Sequence, residues 1–300
     1  MIQLPPYRAS PVKRQRRSEA LVEQLERQIF EVLAADRPQS VRHVFYRKTD
    51  PRLPKPVEMS EQGYRQLQER IVKMRWSGVL TYGWITDATR RGHLTATFSG
   101  TGDFLRQVRG LYRADLWQYS DYCCEVWTES RSIADVIQSD CNELAVSLYP
   151  DPGGGFTSIS LVYQAAEYIN SCRDRKPVLI IYIGGYDPAG VLIDMALEWE
   201  LREHLRSDVE MVFQRVAITP GQIEAYGLPG KPRKETDRRA LHIHETVEAE
   251  AMPAHILRRL LRSQIEGLLP EGALAAAKAA EESEMCHLER LADLAQGRTS

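Results

Sequence analysis

Val178-Leu179-Ile180-Ile181-Tyr182-Ile183-Gly184-Gly185-Tyr186-Asp187-Pro188-Ala189-Gly190 decides the fold of this chain. Its first six residues are all apolar or aromatic and rich in β-branched side chains, the mark of a strand buried on both faces of a parallel sheet. A glycine-rich turn follows, and then a helix to about Leu205. Working outward, Cys123-Cys124-Glu125-Val126-Trp127-Thr128 and Met211-Val212-Phe213-Gln214-Arg215-Val216-Ala217-Ile218 read as further strands, and Leu144 to Leu148 as another. Ser132 to Gln138 and Ser158 to Asn170 read as helices, with Asp151-Pro152-Gly153-Gly154-Gly155 as a loop. Strands alternating with helices across residues 119–270 predict an open α/β sheet.

In such a sheet the ligand crevice lies beyond the carboxyl ends of the strands. Glu129 comes just after the first strand and Asp187 just after the central one. Paired strand-end carboxylates suit Mg²⁺, with Mn²⁺ as an alternative, because Mg²⁺ takes hard oxygen ligands and binds through one or two carboxylates plus phosphates. The loop 184–190 has two other readings, a cradle for a nucleotide phosphate or a plain structural turn. No Lys-Ser/Thr follows its last glycine and its glycines are not spaced GxGxxG, so it is neither a P-loop nor a dinucleotide fingerprint.

Upstream the pattern is helical. Residues 1–17 are rich in Pro and Arg and read as an extended basic arm carrying Lys13, Arg14, Arg16 and Arg17, which fits a DNA-contacting arm or a nuclear-localisation cluster. Ser18 caps a helix to about Asp36, with Leu21, Leu25, Ile29 and Leu33 as its apolar stripe. Ser40 caps a second helix, Val41 to Lys48, and Asp50-Pro51-Arg52-Leu53-Pro54-Lys55-Pro56 is irregular. A third helix from Ser60 to Trp76 turns Tyr64, Leu67, Ile71 and Met74 inward and Arg65, Arg70, Lys73 and Arg75 outward. Gly78 stops it, and Val79 to Ile85 reads as a short strand or wing. Three helices and a wing predict a winged-helix (CAP-like) DNA-binding domain over residues 18–118, with the third helix in a major groove and its basic residues on phosphates. A helical core with a basic outer face is the alternative.

On the second helix Arg42 and Tyr46 lie four residues apart and share a face. A guanidinium one turn from a phenol suits phosphoryl transfer to tyrosine: Arg42 holds a non-bridging oxygen while the Tyr46 oxygen attacks phosphorus. Packing of Phe45-Tyr46 as an aromatic pair is the alternative.

Composition agrees with two unlike halves. The 300 residues carry 39 Lys+Arg and 41 Asp+Glu, a formal net charge of −2. Residues 1–120 hold 21 basic and 12 acidic residues, and residues 121–300 hold 18 and 29. A basic half joined to an acidic half fits a polyanion-binding module beside a domain of acidic chemistry, or solvated faces that differ in sign. No stretch reaches the ~18–20 apolar residues of a membrane span, so no membrane partner is expected. The basic start lacks the apolar run of a signal peptide. Cys123, Cys124, Cys141, Cys172 and Cys286 are odd in number and form no CxxC, which fits a reducing cytoplasm. His242 and His244 lack a third ligand at zinc-site spacing and read as structural or surface residues.

Taken in order, Val41-Arg42-His43-Val44-Phe45-Tyr46-Arg47, Val126-Trp127-Thr128-Glu129-Ser130 and Tyr182 to Gly190 resemble the topoisomerase VI A-subunit family, which includes the meiotic double-strand-break transesterase and smaller prophage-type relatives. The resemblance continues through Arg215 to Ile223, Tyr226-Gly227-Leu228-Pro229, Lys234 to Arg238 and Val247-Glu248-Ala249-Glu250-Ala251, and spans about residues 40–265. It implies a winged-helix domain followed by a Toprim domain. It further implies that Tyr46 is a nucleophile forming a 5′-phosphotyrosyl link and Arg42 a phosphate-holding partner. Glu129 would be a metal ligand or general acid/base, and Asp187 one aspartate of a metal pair. The other aspartate of that pair falls on Gly185, a departure that removes a ligand and a charge unless Asp194, Glu248 or Glu250 substitutes. The resemblance also implies double-stranded DNA as partner, a homodimer, and a separate ATPase B-type subunit, since no ATP-binding motif stands in this chain.

Three functions follow: a Mg²⁺-dependent DNA transesterase (a type IIB topoisomerase A-like protein), a Toprim nuclease of defence type without a covalent intermediate, and a non-cleaving DNA-binding subunit. The expected location is cytoplasmic, on the nucleoid when DNA is bound. Residues 271–300 read as a helical extension that packs on the sheet domain, dimerises or meets a partner.

Overall fold

The structure is a computed structural model that describes residues 19–86, 95–150, 159–171, 176–233, 240 and 243–297. The basic arm with Lys13, Arg14, Arg16 and Arg17, the Ser18 cap, the 151–155 loop, the run 234–238, Cys172 and His242 lie outside the described residues.

Three helices come first: α1 (Glu19–Ala35), α2 (Val41–Lys48) and α3 (Glu61–Trp76). Leu25, Ile29 and Leu33 of α1 meet Leu67, Ile71 and Met74 of α3 around Val44 and Phe45 of α2 in one apolar core. At eight residues α2 is too short to be stable alone. Packing and caps hold it: the Ser40 hydroxyl accepts from His43 N at 3.3 Å, as the sequence predicts.

The strand expected over Val79–Ile85 does not form. Tyr82–Trp84 is a 3₁₀ turn, and Ile85 makes a single parallel bridge with Gln39. Gly78, at φ 75°, turns the chain off α3, and Leu80 and Ile85 are drawn into the helical core. Arg75 then donates to the carbonyls of Tyr82 (2.7 Å) and Ile85 (2.9 Å), using acceptors that a ladder would need.

α4 (Thr101–Val108) stands apart from this three-helix core and pairs with the last helix, α10 (Ala273–Ala295). Arg106 and Arg109 of this region bridge Glu289, and Arg106 also reaches Asp293 at 2.6 Å. The C-terminal extension therefore packs back on residues 101–111, with Lys278 tied to Glu143 of the sheet region.

Between these lies the sheet. β1 (Cys123–Thr128), α5 (Arg131–Glu143), β2 (Ser147–Pro150), α6 (Ile159–Ser171), β3 (Val178–Ile183), α7 (Pro188–His204) and β4 (Met211–Ala217) alternate along the chain. The strands form one parallel sheet in the order β2-β1-β3-β4. β2 starts later than the sequence suggests, because Leu144 closes α5 and Ala145 turns at φ 51°. All six residues of β3 are buried, as its composition requires. Leu179, Ile181 and Ile183 pack one way, with α5 and α9 (Ala254–Glu266); Val178, Ile180 and Tyr182 pack the other, with α6 and α7. α8 (Pro220–Tyr226) and a two-residue antiparallel pair, β5 (Lys231–Pro232) with β6 (Glu245–Thr246), complete the elements.

Helical unit and sheet meet through α2 and α9. Arg258 bonds Asp36 at 2.7 Å and the Pro38 carbonyl, and the His255 amide donates to Asp36 at 2.8 Å. Arg47 donates to the Ala251 carbonyl. Val44 and Phe45 belong to the helical core, whereas Tyr46 belongs to the core of the sheet.

Candidate functional site

From β1 the chain passes through α5 to β2 on one side, then crosses back to β3 on the other. The carboxyl ends of β1 and β3 therefore flank the point where strand order reverses, the place where open α/β sheets bind ligands. Glu129 and Asp187 both stand there.

Glu129 follows β1, its amide bonded to the Ile183 carbonyl at 3.0 Å. Its Oε2 accepts the Gly185 amide at 2.8 Å. Burial, and then the charges of Asp187 and Glu250, push its carboxyl up to about 7 despite the Gly185 amide and Arg215. Asp187 caps α7, its Oδ1 accepting from Gly190 N at 2.7 Å. Gly190 itself is required by close approach: a Cβ there would lie 2.5 Å from the Gly185 carbonyl and 3.1 Å from Glu129 Oε2.

Gly185 occupies a position with little room for a side chain. A Cβ would point at the 247–249 backbone, 3.0 Å from the Val247 carbonyl and 3.5 Å from Ala249 N. That backbone is pinned: Tyr186 N donates to Val247 O at 2.7 Å and Val247 N returns to Tyr186 O at 2.9 Å. None of the three substitutes for the missing aspartate is free. Asp194 is held by Arg215 at 2.6 Å, Glu248 by Arg42 and by Lys231 at 2.9 Å, and Glu250 by the Ser130 (3.0 Å) and Ser132 hydroxyls.

Among the described residues no group of three or more His, Cys, Asp or Glu side chains is placed to hold a metal ion. Glu129 Oε1 and Asp187 Oδ2, however, carry no hydrogen bond among the described residues. Two hard carboxylate oxygens in each other's field suit a Mg²⁺ that draws its remaining ligands from water and phosphate, not an all-protein cage.

Tyr46 comes up to this edge from the helical side. It is 3% exposed. Burial, and then the Glu248 carboxylate it faces, hold its phenol well above the ordinary tyrosine range. Phe45 meets it edge-on at 5.7 Å between ring centroids, so the aromatic-pair packing is present as well. Arg42, one turn earlier, pairs with Glu248, and its guanidinium lies 5.4 Å from the Tyr64 ring centroid. A cleft of about 720 Å³ opens between α2, the start of α3, the start of α7 and β5, lined by Arg42, Tyr64, Asp187, Lys231 and Glu248 among others.

No protein-family model, curated protein or solved structure matches this chain.

The helix-α3 cations divide. Arg65 and Lys73 are exposed, Arg65 lying 3.6 Å from Glu61. Arg70 bridges Glu26 of α1 at 3.0 Å, and Arg75 is spent on the Tyr82 and Ile85 carbonyls. These last two hold the helical unit together, so the outward face expected of all four belongs to Arg65 and Lys73.

Sequence reasoning missed Arg215. From β4 it bonds Asp194 and the carbonyls of Gly184 (3.1 Å), Gly185 (3.1 Å) and Gly190 (2.8 Å), fixing the loop that positions Glu129 and Asp187. A lone arginine inside an otherwise largely apolar strand was the available signal. Lys231 was also missed; nothing in Gly230-Lys231-Pro232 marks it.

Proposed function

We propose that this protein binds duplex DNA and cuts it by Mg²⁺-dependent transesterification, as a winged-helix plus Toprim protein of topoisomerase VI A-subunit type. The supporting observation is convergence: Arg42 on α2 lines one cleft with Asp187 and Glu248, and Tyr46, one turn on, faces Glu248, although about 140 residues separate α2 from Asp187. In this reading Arg42 holds a non-bridging phosphate oxygen, the Tyr46 phenol passes its proton to the Glu248 carboxylate it faces as its oxygen bonds to phosphorus, and the bond to the 3′ oxygen breaks. Glu129 serves either as a metal ligand or, in its protonated form, as the acid that gives the departing 3′ oxygen a proton, not as both at once. Asp187 and an ionised Glu129 would hold Mg²⁺, which when bound would supply Lewis-acid stabilisation of the transferring phosphoryl group. The reading includes a homodimer and a separate ATPase subunit for any strand passage.

The packing of the 247–249 backbone over Gly185 favours a second reading, a subunit that holds DNA without cutting it. Covalent trapping decides between them. The protein is mixed with supercoiled DNA and Mg²⁺ or Mn²⁺, then denatured with detergent. DNA that stays attached, and is released from Tyr46→Phe, supports transesterification. Cutting that survives Tyr46→Phe replaces it with a water-dependent nuclease. Salt-sensitive binding without cutting establishes the second reading.

A further inference from the structure

We infer that Arg42 and Lys231 form a seat for one DNA backbone phosphate, and that Glu248 fills this seat as an internal competitor until DNA displaces it. The inference rests on the DNA-binding reading above and adds to it a residue, Lys231, and a displacement step.

The geometry is that of an anion held between two cations. One Glu248 oxygen pairs with Arg42 and the other with Lys231 Nζ at 2.9 Å. Arg42 comes from the helical unit and Lys231 from β5 beyond the sheet, so the carboxylate bridges two elements far apart in sequence. A phosphodiester offers the same pair of anionic oxygens, and a guanidinium with an ammonium is a donor set that binds phosphate.

The seat faces solvent. Side-chain exposures of 43% for Arg42, 41% for Lys231 and 31% for Glu248 leave all three reachable through the cleft. It also adjoins the phenol: Lys231 Nζ stands 5.5 Å from the Tyr46 ring centroid. A phosphate in place of the Glu248 carboxylate would arrive beside the one tyrosine of α2. The 247–249 backbone is fixed independently of this carboxylate, by its bonds to Tyr186 and its packing on the sheet.

The test is equilibrium binding of a fluorescent duplex of about 20 base pairs, in EDTA, to proteins carrying Tyr46→Phe so that no cutting intervenes. Glu248→Gln keeps the shape and removes the competing charge. The expected result is at least about fivefold tighter binding, with the slope of log affinity against log salt steeper by about one or two, since two cations become available to phosphate. Lys231→Ala is expected to weaken binding several-fold and flatten that slope by about one. Unchanged or weaker binding by a folded Glu248→Gln protein overturns the proposal. So does Lys231→Ala binding like its parent, a comparison that stands even if the change at 248 prevents folding. Tighter binding by Glu248→Gln, together with no covalent trapping by the protein that retains Tyr46, would remove transesterification and leave the displacement intact. Trapping without tighter binding would do the reverse, and no DNA binding by any variant overturns both.

Discussion

Replacing Glu129 with Gln should make the metal-free protein more stable at alkaline pH and, if Glu129 is the proposed Mg²⁺ ligand, should remove the stabilisation that Mg²⁺ gives. Glu129 is mostly buried, and its carboxyl is pushed from 4.5 to about 7, chiefly by desolvation. Between those values the folded protein keeps a proton that the unfolded chain has lost, so stability falls as pH rises through the window. A shift of that size corresponds to about 3 kcal/mol once both states are ionised. Residual solvent contact reduces the figure, and about 2 kcal/mol is the expected gain for Glu129→Gln near pH 8.5. Near pH 4.5 the two proteins should be nearly equal. Gln retains an oxygen to accept the Gly185 amide, so the local backbone has no reason to move. Urea unfolding in EDTA at several pH values measures the difference, and thermal unfolding with and without Mg²⁺ measures the second effect. Mg²⁺ at a hundred times its dissociation constant would stabilise the parent by about 2.7 kcal/mol and leave the variant unmoved. A Gln variant that is less stable at pH 8.5, or an advantage that does not depend on pH, would refute the reasoning about burial. An equal response of both proteins to Mg²⁺ would refute the assignment of Glu129 as a ligand.

Glu125, 3% exposed and raised to about 7 by burial, lies on β1 away from the carboxyl edge. Glu125→Gln should give a similar alkaline gain of about 2 kcal/mol, but with the Mg²⁺ response intact, as the same melts would show. Gly185→Asp should lower the melting temperature in EDTA, because its Cβ would stand 3.0 Å from the Val247 carbonyl and its charge beside Glu129. Mg²⁺ should restore more stability to it than to the parent, and cleavage by it where the parent has none in the supercoiled-DNA assay would identify the missing carboxylate as the reason. Arg215→Lys cannot serve the same set of carbonyls, and Arg215→Ala leaves Asp194 buried without its partner, so Ala should cost about 3–5 kcal/mol in urea unfolding. Lys73→Ala should weaken DNA binding and flatten its salt dependence, whereas Arg70→Ala should act on stability through loss of Glu26; equal effects on binding would contradict the division seen on α3.

Periodicity carried most of the architecture. The β-branched apolar run of β3 read as a central strand, and the stripe Leu25-Ile29-Leu33 as a packed helix face, and both formed. Position after a strand end also placed Glu129 and Asp187 together, since the topology rule needs no side-chain detail. Three things were not legible. The strand over Val79–Ile85 gave way to a turn, and Arg75, an outward cation by spacing, found carbonyl acceptors there seven and ten residues on. Arg215 and Lys231 act through partners distant in sequence, which spacing does not report. The room at Gly185 depends on a segment some 60 residues later, so a missing aspartate could be read from the sequence but the close packing over that position could not.

The division of α2 between two cores has a mechanical consequence. Val44 and Phe45 are anchored on one side and Tyr46, the next residue, on the other, so the helix works as a pin through both bodies. Pulling the bodies apart would draw the phenol out of the sheet's core without melting a turn of helix. Tyr46 exposure is thus coupled to displacement and not to local unfolding. Any partner or substrate that wedges the two apart would uncover the tyrosine as it does so, at the cost of the burial and ion pairs that hold it closed.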